Sequence, residues 1–111
     1  MEPKTLYGKY ILERENKFIL EKEYGFATYI YENDYMYVID IFVVKEERRN
    51  KKSKELHDEL VLIAKANGKN KLIGSVCSNA NGATESLKFL LSHDFKLLHN
   101  DNSMIYFSKE I

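Results

Sequence analysis

The sequence predicts an α+β (mixed α/β) domain, a mostly antiparallel sheet with helices packed on it, and three observations carry that prediction. Stretches rich in Ile, Val, Tyr and Phe, broken by short Asn, Asp or Gly punctuation, fill the first half of the chain. Two later segments change to apolar spacings of three and four, the period of an amphipathic helix. A strand-like run lies between those two segments, so one strand–helix–strand unit has to make a parallel crossover.

In chain order, Tyr10 to Glu13, Phe18 to Glu23, Gly25 to Tyr31 and Met36 to Val44 read as consecutive antiparallel strands. Within GFATYIYE, Phe26, Thr28, Ile30 and Glu32 share one face and Ala27, Tyr29 and Tyr31 the other, as a pleated strand requires. Asn33-Asp34 is a turn pair. From Ser53 to Asn67, Leu56, Leu60, Ile63 and Ala64 build one apolar stripe while Glu55, Asp58, Glu59 and Lys65 face water, and Gly68 is the stop. KLIGSVCS, Lys71 to Ser78, is a short strand suited to a buried place. A second helix, Ala83 to Ser92, follows the Asn81-Gly82 turn with Leu87, Leu90 and Leu91 inward. FKLLHNDNSMIYFSKEI closes the chain as two strands around an Asn-Asp-Asn-Ser turn.

No linker or repeat divides the 111 residues, so residues 1–111 are read as a single domain. A chain of that length buries about 65% of the surface it exposes when unfolded. Lys plus Arg and Asp plus Glu both number 17, which leaves no global field to draw the protein onto nucleic acid or an anionic membrane. The lone cysteine, Cys77, excludes an internal disulfide and reads as a buried small hydrophobe in a reducing compartment. The chain opens with no cationic leader and has no run of about 18 apolar residues, so a cytoplasmic protein with no membrane partner is expected. Cys77, His57, His93 and His99 have no metal-ligand spacing, and no metal is expected.

The local exception to the charge balance is RRNKKSK, which puts five basic residues into positions 48 to 54, where a strand hands over to a helix. The first amides of a helix lack internal partners and sit at the positive end of its dipole, so an anion is favoured there before any side chain is counted. Charge alone leaves open a solvated loop, a nucleic-acid patch, or a site for phosphate or pyrophosphate. A Walker-type loop is excluded, because no glycine lies between Gly25 and Gly68.

Ile41-Phe42-Val43 followed by Glu46, Arg48, and then Leu56, Leu60, Ala64 and Gly68 at fixed offsets resembles the central motif of the GNAT superfamily of acetyl-CoA-dependent N-acetyltransferases. LIGSVCSNANGATESLKFLLSHDFKLL is similar to that family's second conserved segment, with Ser86, Leu90 and Phe95 in matching places and Asp94 in a glycine place. The resemblance covers roughly Phe18 to Ile111. It implies a GNAT-like fold with a splayed central sheet and abbreviated N-terminal helices, acetyl-CoA as co-substrate, and acetyl transfer to an amine, either a small molecule or a protein lysine. It also implies that Arg48, Arg49, Asn50, Lys51, Lys52, Ser53 and Lys54 hold the pyrophosphate, while the backbone of Ile41, Phe42 and Val43 bonds the pantetheine and polarises the thioester. Ser86 lies on the coenzyme side in the same pattern, and Asn79 and Asn81, at the end of the parallel strand, are either pantetheine-bonding residues or plain turn residues.

The sequence departs from the family pattern at three points. Lys51 and Ser53 stand where two glycines are usual, although both side chains can donate to phosphate. Taking Arg49 as the leading arginine instead would put Lys52 and Lys54 there; the helix leucines agree with Arg48. Residues 1 to 17 are too few for the family's two N-terminal helices, so the acceptor side is expected to be open or to be completed by a partner in a homodimer. Leu90 fills the place of the family's acid tyrosine. For the general base, Asp40 is the candidate, a carboxylate inside the apolar run MYVIDIFVV, where its structural role would be to pair with a neighbouring strand's Lys or Tyr. Glu32, Tyr29 and Tyr37 are further candidates, and His57 reads as partly exposed structure. The departures keep a second reading open, a non-catalytic GNAT-like domain that binds protein or nucleic acid.

Overall fold

The computed structural model describes residues 3–48 and 50–111. The elements are α1 (Leu6–Glu15), β1 (Phe18–Lys22), β2 (Gly25–Tyr31), β3 (Tyr35–Val43), a 3₁₀ turn (Lys45–Glu47), α2 (Lys52–Ala66), β4 (Lys71–Cys77), α3 (Ala83–Ser92), β5 (Lys96–Asp101) and β6 (Met104–Glu110). They form one six-stranded sheet in the order β1-β2-β3-β4-β6-β5, antiparallel throughout except where β3 and β4 run parallel. The mixed α+β architecture expected from the sequence is therefore the one observed.

One expected strand is absent: Tyr10 to Glu13 lies inside α1. Four residues of strand-like composition are outweighed there by two end signals. Thr5 caps the helix, its Oγ1 accepting from the Gly8 N–H at 3.0 Å, and Asn16 stops it in a left-handed conformation with φ 58°. Tyr10, the aromatic residue of the expected strand, lies on the exposed side of α1 with Tyr7, and Gly8 and Ile11 are buried.

Side-chain alternation divides the sheet into two unequal faces. Leu20, Ala27, Tyr29, Met36, Val38, Leu72, Val76 and Phe107 join Leu56, Leu60 and Ala64 of α2 and Phe89 and Leu90 of α3 in the core. Gly74 allows α3 to come close, since a Cβ there would lie 2.9 Å from Leu90 Cδ2. On the opposite face α1 packs chiefly against β1, at the sheet edge, where Gly8 rests against Ile19. Cys77, expected to be buried, is half-buried at the end of β4, its Sγ 3.9 Å from Ser103 Oγ.

The parallel pair is what shapes the molecule. Only Tyr35 to Val38 of β3 pair with Lys71 to Gly74 of β4; beyond Val38 and Gly74 each strand continues without the other. A bulge lies at the point of divergence, because Thr28 faces Asp40 and Tyr29 faces Val38, which leaves Ile39 as an extra residue on β3. Such an insertion bends the strand and adds twist, carrying Asp40 to Val43 away from β4.

Candidate functional site

A cleft of about 620 Å³ opens where β3 and β4 part. Its strand end is walled by Val38 to Val43 on one side and by Gly74 and Ser75 on the other; its helix end runs between the first turns of α2 and α3 toward His57, Ser92 and Phe95. On β3, residues 39 to 43 have no strand partner on the β4 side, and on β4 residues 75 to 77 have none on the β3 side. Backbone groups there are available to an extended polar chain laid between the strands.

The helix starts differ in a way that concerns ligands. Thr5 occupies a first-turn amide of α1. By contrast α2 begins at Lys51 (φ 61°) and α3 at Gly82 (φ 83°), both left-handed and neither with a side-chain cap. Ser53 of α2, and Gly82, Glu85 and Ser86 at the start of α3, line the cleft, so two uncapped N-termini border one cavity.

Of the residues expected at the site, Asp40, Ile41, Phe42, Val43, Arg48, Ser53 and Ser86 line this cleft. Arg48 is tied to the strand end: its Nε donates to the Val43 carbonyl at 2.9 Å, and its guanidinium carbon lies 5.9 Å from the Phe42 ring centroid. The rest of the basic run goes elsewhere. Lys52 Nζ is 3.7 Å from Glu55 and 5.3 Å from the Tyr24 ring centroid, and Lys54 Nζ bonds Asp58 at 2.8 Å. Once the helix starts at Lys52, acids three and four residues on become the neighbours of these lysines. Asn50 donates to Glu47 Oε2 at 3.1 Å. Lys51 and Asn79 are not among the lining residues, and Arg49 lies outside the described residues.

Asp40 is exposed on the face away from the two cleft helices, and its partner is neither Lys nor Tyr. Its Oδ2 accepts from Thr28 Oγ1 at 2.9 Å, and the same Oγ1 accepts from the Asp40 N–H at 3.1 Å. Thr28 is buried, so this double link fixes the carboxylate at the bulge. Tyr29 has no part in the site: it is 1% exposed, stacks on Phe18, and burial pushes its phenol well up from the ordinary value. Tyr37, named from the sequence only as a further base candidate, meets Ser75, which the sequence reading did not single out, at the apex of the divergence, with Tyr37 OH and Ser75 Oγ 2.6 Å apart. The available signal was the hydroxyl of Ser75 in an otherwise apolar strand, directly after Gly74.

The helix end corrects the expectation for His57, which is 6% exposed rather than partly open. The end of α3 closes over it: the His57 and His93 rings stack at 4.4 Å and 7°, and Phe89 and Phe95 flank them. Lys109 Nζ lies 3.0 Å from His57 Nε2 and Asp58 Oδ1 lies 2.9 Å from Nδ1. An ammonium only donates, so Nε2 accepts and Nδ1–H donates to Asp58, which assigns a neutral tautomer. Burial lowers the His57 pKa, against the raising hydrogen bond to Asp58. His93 is pushed down to about 4, chiefly by burial and then by His57 and Lys109, and its Nε2 is buried without a partner. Hydrogen bonds from Lys54 and His57 hold Asp58 at about 2.

No family model and no curated protein matches the sequence. Solved structures do match in fold. The PaiA N-acetyltransferase of Thermoplasma acidophilum in complex with coenzyme A superposes with a TM-score of 0.72 at 18% identity over 91% of this chain. The chain spans 66% of that protein's length, just under two thirds. An acetyltransferase of Bacillus cereus matches at 0.67 and 16% identity over 100% of this chain and 96% of its own. A GNAT family acetyltransferase of Elizabethkingia anophelis with acetyl-CoA bound matches at 0.68 and 15% identity, over 98% of this chain and 84% of its own.

Proposed function

We propose that this chain, which has the fold of the GNAT acetyltransferases, transfers an acetyl group from acetyl-CoA to an amine by direct attack. The observation that carries the reading is the parting of β3 and β4 beyond Val38 and Gly74 into a cleft that two uncapped helix N-termini border. That arrangement suits a ligand with an amide-rich chain at one end and phosphates at the other. In this reading the backbone of residues 39 to 43 bonds the pantetheine and polarises the thioester carbonyl. Arg48, Ser53 and the first-turn amides of α2 hold the pyrophosphate, with Ser86 and the start of α3 on the other side. Part of the basic run expected for that task, Lys52 and Lys54, is neutralised by acids of its own helix.

The amine has to lose a proton to attack, from a pKa near 10.4 for a lysine. Asp40 is the base in this scheme, held by Thr28 on the open face from which an acceptor reaches the strand end. Because α1 packs chiefly on β1, at one edge of that face, the acceptor side admits a protein lysine as well as a small amine.

Calorimetric titration with acetyl-CoA tests the reading. Binding is expected, and Arg48→Ala is expected to weaken acetyl-CoA about tenfold while leaving acetyl-pantetheine, which lacks the pyrophosphate, within about twofold. The absence of both heat and thermal stabilisation at millimolar coenzyme would overturn it and leave the non-catalytic binding domain.

A further inference from the structure

We infer that Tyr37 and Ser75 form a proton-donating pair that protonates the thiolate leaving the acetyl group, an inference that rests on the acetyl-transfer reading above. Ser75 is the first residue of β4 beyond the last pair with β3, and it lines the cleft. Tyr37 lies on β3 in the paired segment, and its hydroxyl is 2.6 Å from Ser75 Oγ. By strand alternation both project from the face opposite Met36, Val38, Leu72 and Gly74, which turn toward the helices. A thioester threaded between the strands therefore emerges beside Ser75. Helix α3 supplies no hydroxyl at this point, because Leu90 is buried against Gly74.

The acidities give the two hydroxyls separate tasks. A serine hydroxyl alone is a far weaker acid than a thiol, whereas a phenol near 10 is within about two units of a thiol near 8.5. The proton therefore originates on Tyr37, and Ser75 passes it on. As the amine nitrogen bonds the acetyl carbon, the carbon–sulfur bond breaks and its electron pair goes to sulfur. Sulfur takes the Ser75 proton, Ser75 takes that of Tyr37, and the phenolate is reprotonated from solvent. The proton lost by the amine leaves through the base, so one amide and one thiol are formed from one amine and one thioester.

The test uses CoA itself and needs no acceptor. A donor aimed at sulfur stabilises the thiolate, so the thiol of bound CoA, followed by its ultraviolet absorbance from pH 6 to 10, is expected to ionise at least tenfold more readily on the wild-type protein than on Ser75→Ala or Tyr37→Phe. Ser75→Thr, which keeps the hydroxyl, is expected to keep the wild-type titration. The neighbouring titratable groups Asp40, Cys77, Tyr106 opposite Ser75 and His99 stacked on Tyr106 are the same in every variant, and the thiol is followed as the difference between CoA-bound and CoA-free protein so that each variant's own phenolates cancel. If Ser75→Ala does not fold, Tyr37→Phe carries the test alone, since it removes one hydroxyl from a half-buried side chain. Equal ionisation on the wild-type protein and the variants, with CoA bound to each, overturns the pair and leaves acetyl transfer standing. Failure of CoA to bind the wild-type protein overturns both.

Discussion

At the strand end of the cleft Asp40 is exposed and tied to one neighbour, Thr28, whereas at the helix end His57 is 6% exposed and held at both ring nitrogens with His93 stacked on it. Both ends carry titratable side chains beside apolar walls, and composition alone would make either a catalytic centre. The difference lies in what a proton would do there. Protonating either histidine puts a cation next to the Lys109 ammonium in a buried stack, which the packing resists. In the acetyl-transfer reading proposed above, Asp40 takes the proton of the incoming amine from an exposed position, without disturbing the core. Buried ionisable groups at the helix end thus hold α2 to α3, and exposed ones at the strand end are available for chemistry.

Acid stability sharpens this contrast most. The unfolded chain protonates His93 near the ordinary histidine value, but the folded chain does so only at about 4. Between those values unfolding takes up a proton, so the contribution is complete above about pH 6.5 and is lost as pH falls toward about 4. The loss expected from His93 is on the order of 2–3 kcal/mol, and the lowered His57 adds to it in the same direction. Urea midpoints measured across that window should fall steeply for the wild-type protein and much less for His93→Phe, which keeps an aromatic ring but cannot titrate. A wild-type midpoint that stays flat down to pH 4 would remove the distinction between the two ends.

Replacing the carboxylate at the strand end should do the reverse. Asp40→Asn is expected to lower kcat for acetyl transfer to a primary amine about a hundredfold, or about 2.7 kcal/mol in the barrier. Its unfolding free energy should stay within about 0.5 kcal/mol, because the side chain is exposed. Unchanged kcat would mean that the amine reaches the site already neutral and that the Thr28 link is structural.

How far these ends were legible in the sequence follows from the range of the signals. Leu56, Leu60, Ala64 and Gly68 announce α2 through a period that repeats within the helix, and with Ile41-Phe42-Val43 before it the strand–loop–helix unit could be read directly. Helix α1 was misread because Tyr10 to Glu13 is too short to separate a two-residue period from a helical one, and the deciding signals, Thr5 and Asn16, lie outside it. The split of the basic run depends on where α2 starts, and so on a lysine adopting positive φ, which side-chain chemistry does not favour. His57 with His93, and Tyr37 with Ser75, are pairs between distant elements, and no local pattern could join them.

The smallest effects concern two residues in left-handed conformations, Lys51 at the start of α2 and Asp94 after α3, with φ 61° and 66°. A residue with a Cβ pays roughly 1–2 kcal/mol in that conformation, and glycine returns about half of the gain through the freer unfolded chain. Lys51→Gly should therefore raise stability by about 0.5–1 kcal/mol, and Asp94→Gly by less, since Asp tolerates the conformation better. The comparison then turns on binding. The Asp94 turn lies beside the histidine stack, so its replacement should leave acetyl-CoA affinity unchanged. Lys51 opens the loop at the phosphate side, but its side chain is not among those lining the cleft. Removing it should cost no affinity and should let the backbone approach the pyrophosphate more closely, so a titration as tight as wild type or tighter is expected. A tenfold loss would instead show that the lysine ammonium reaches the phosphates, and that the strain at position 51 is kept for the ligand rather than tolerated by the fold.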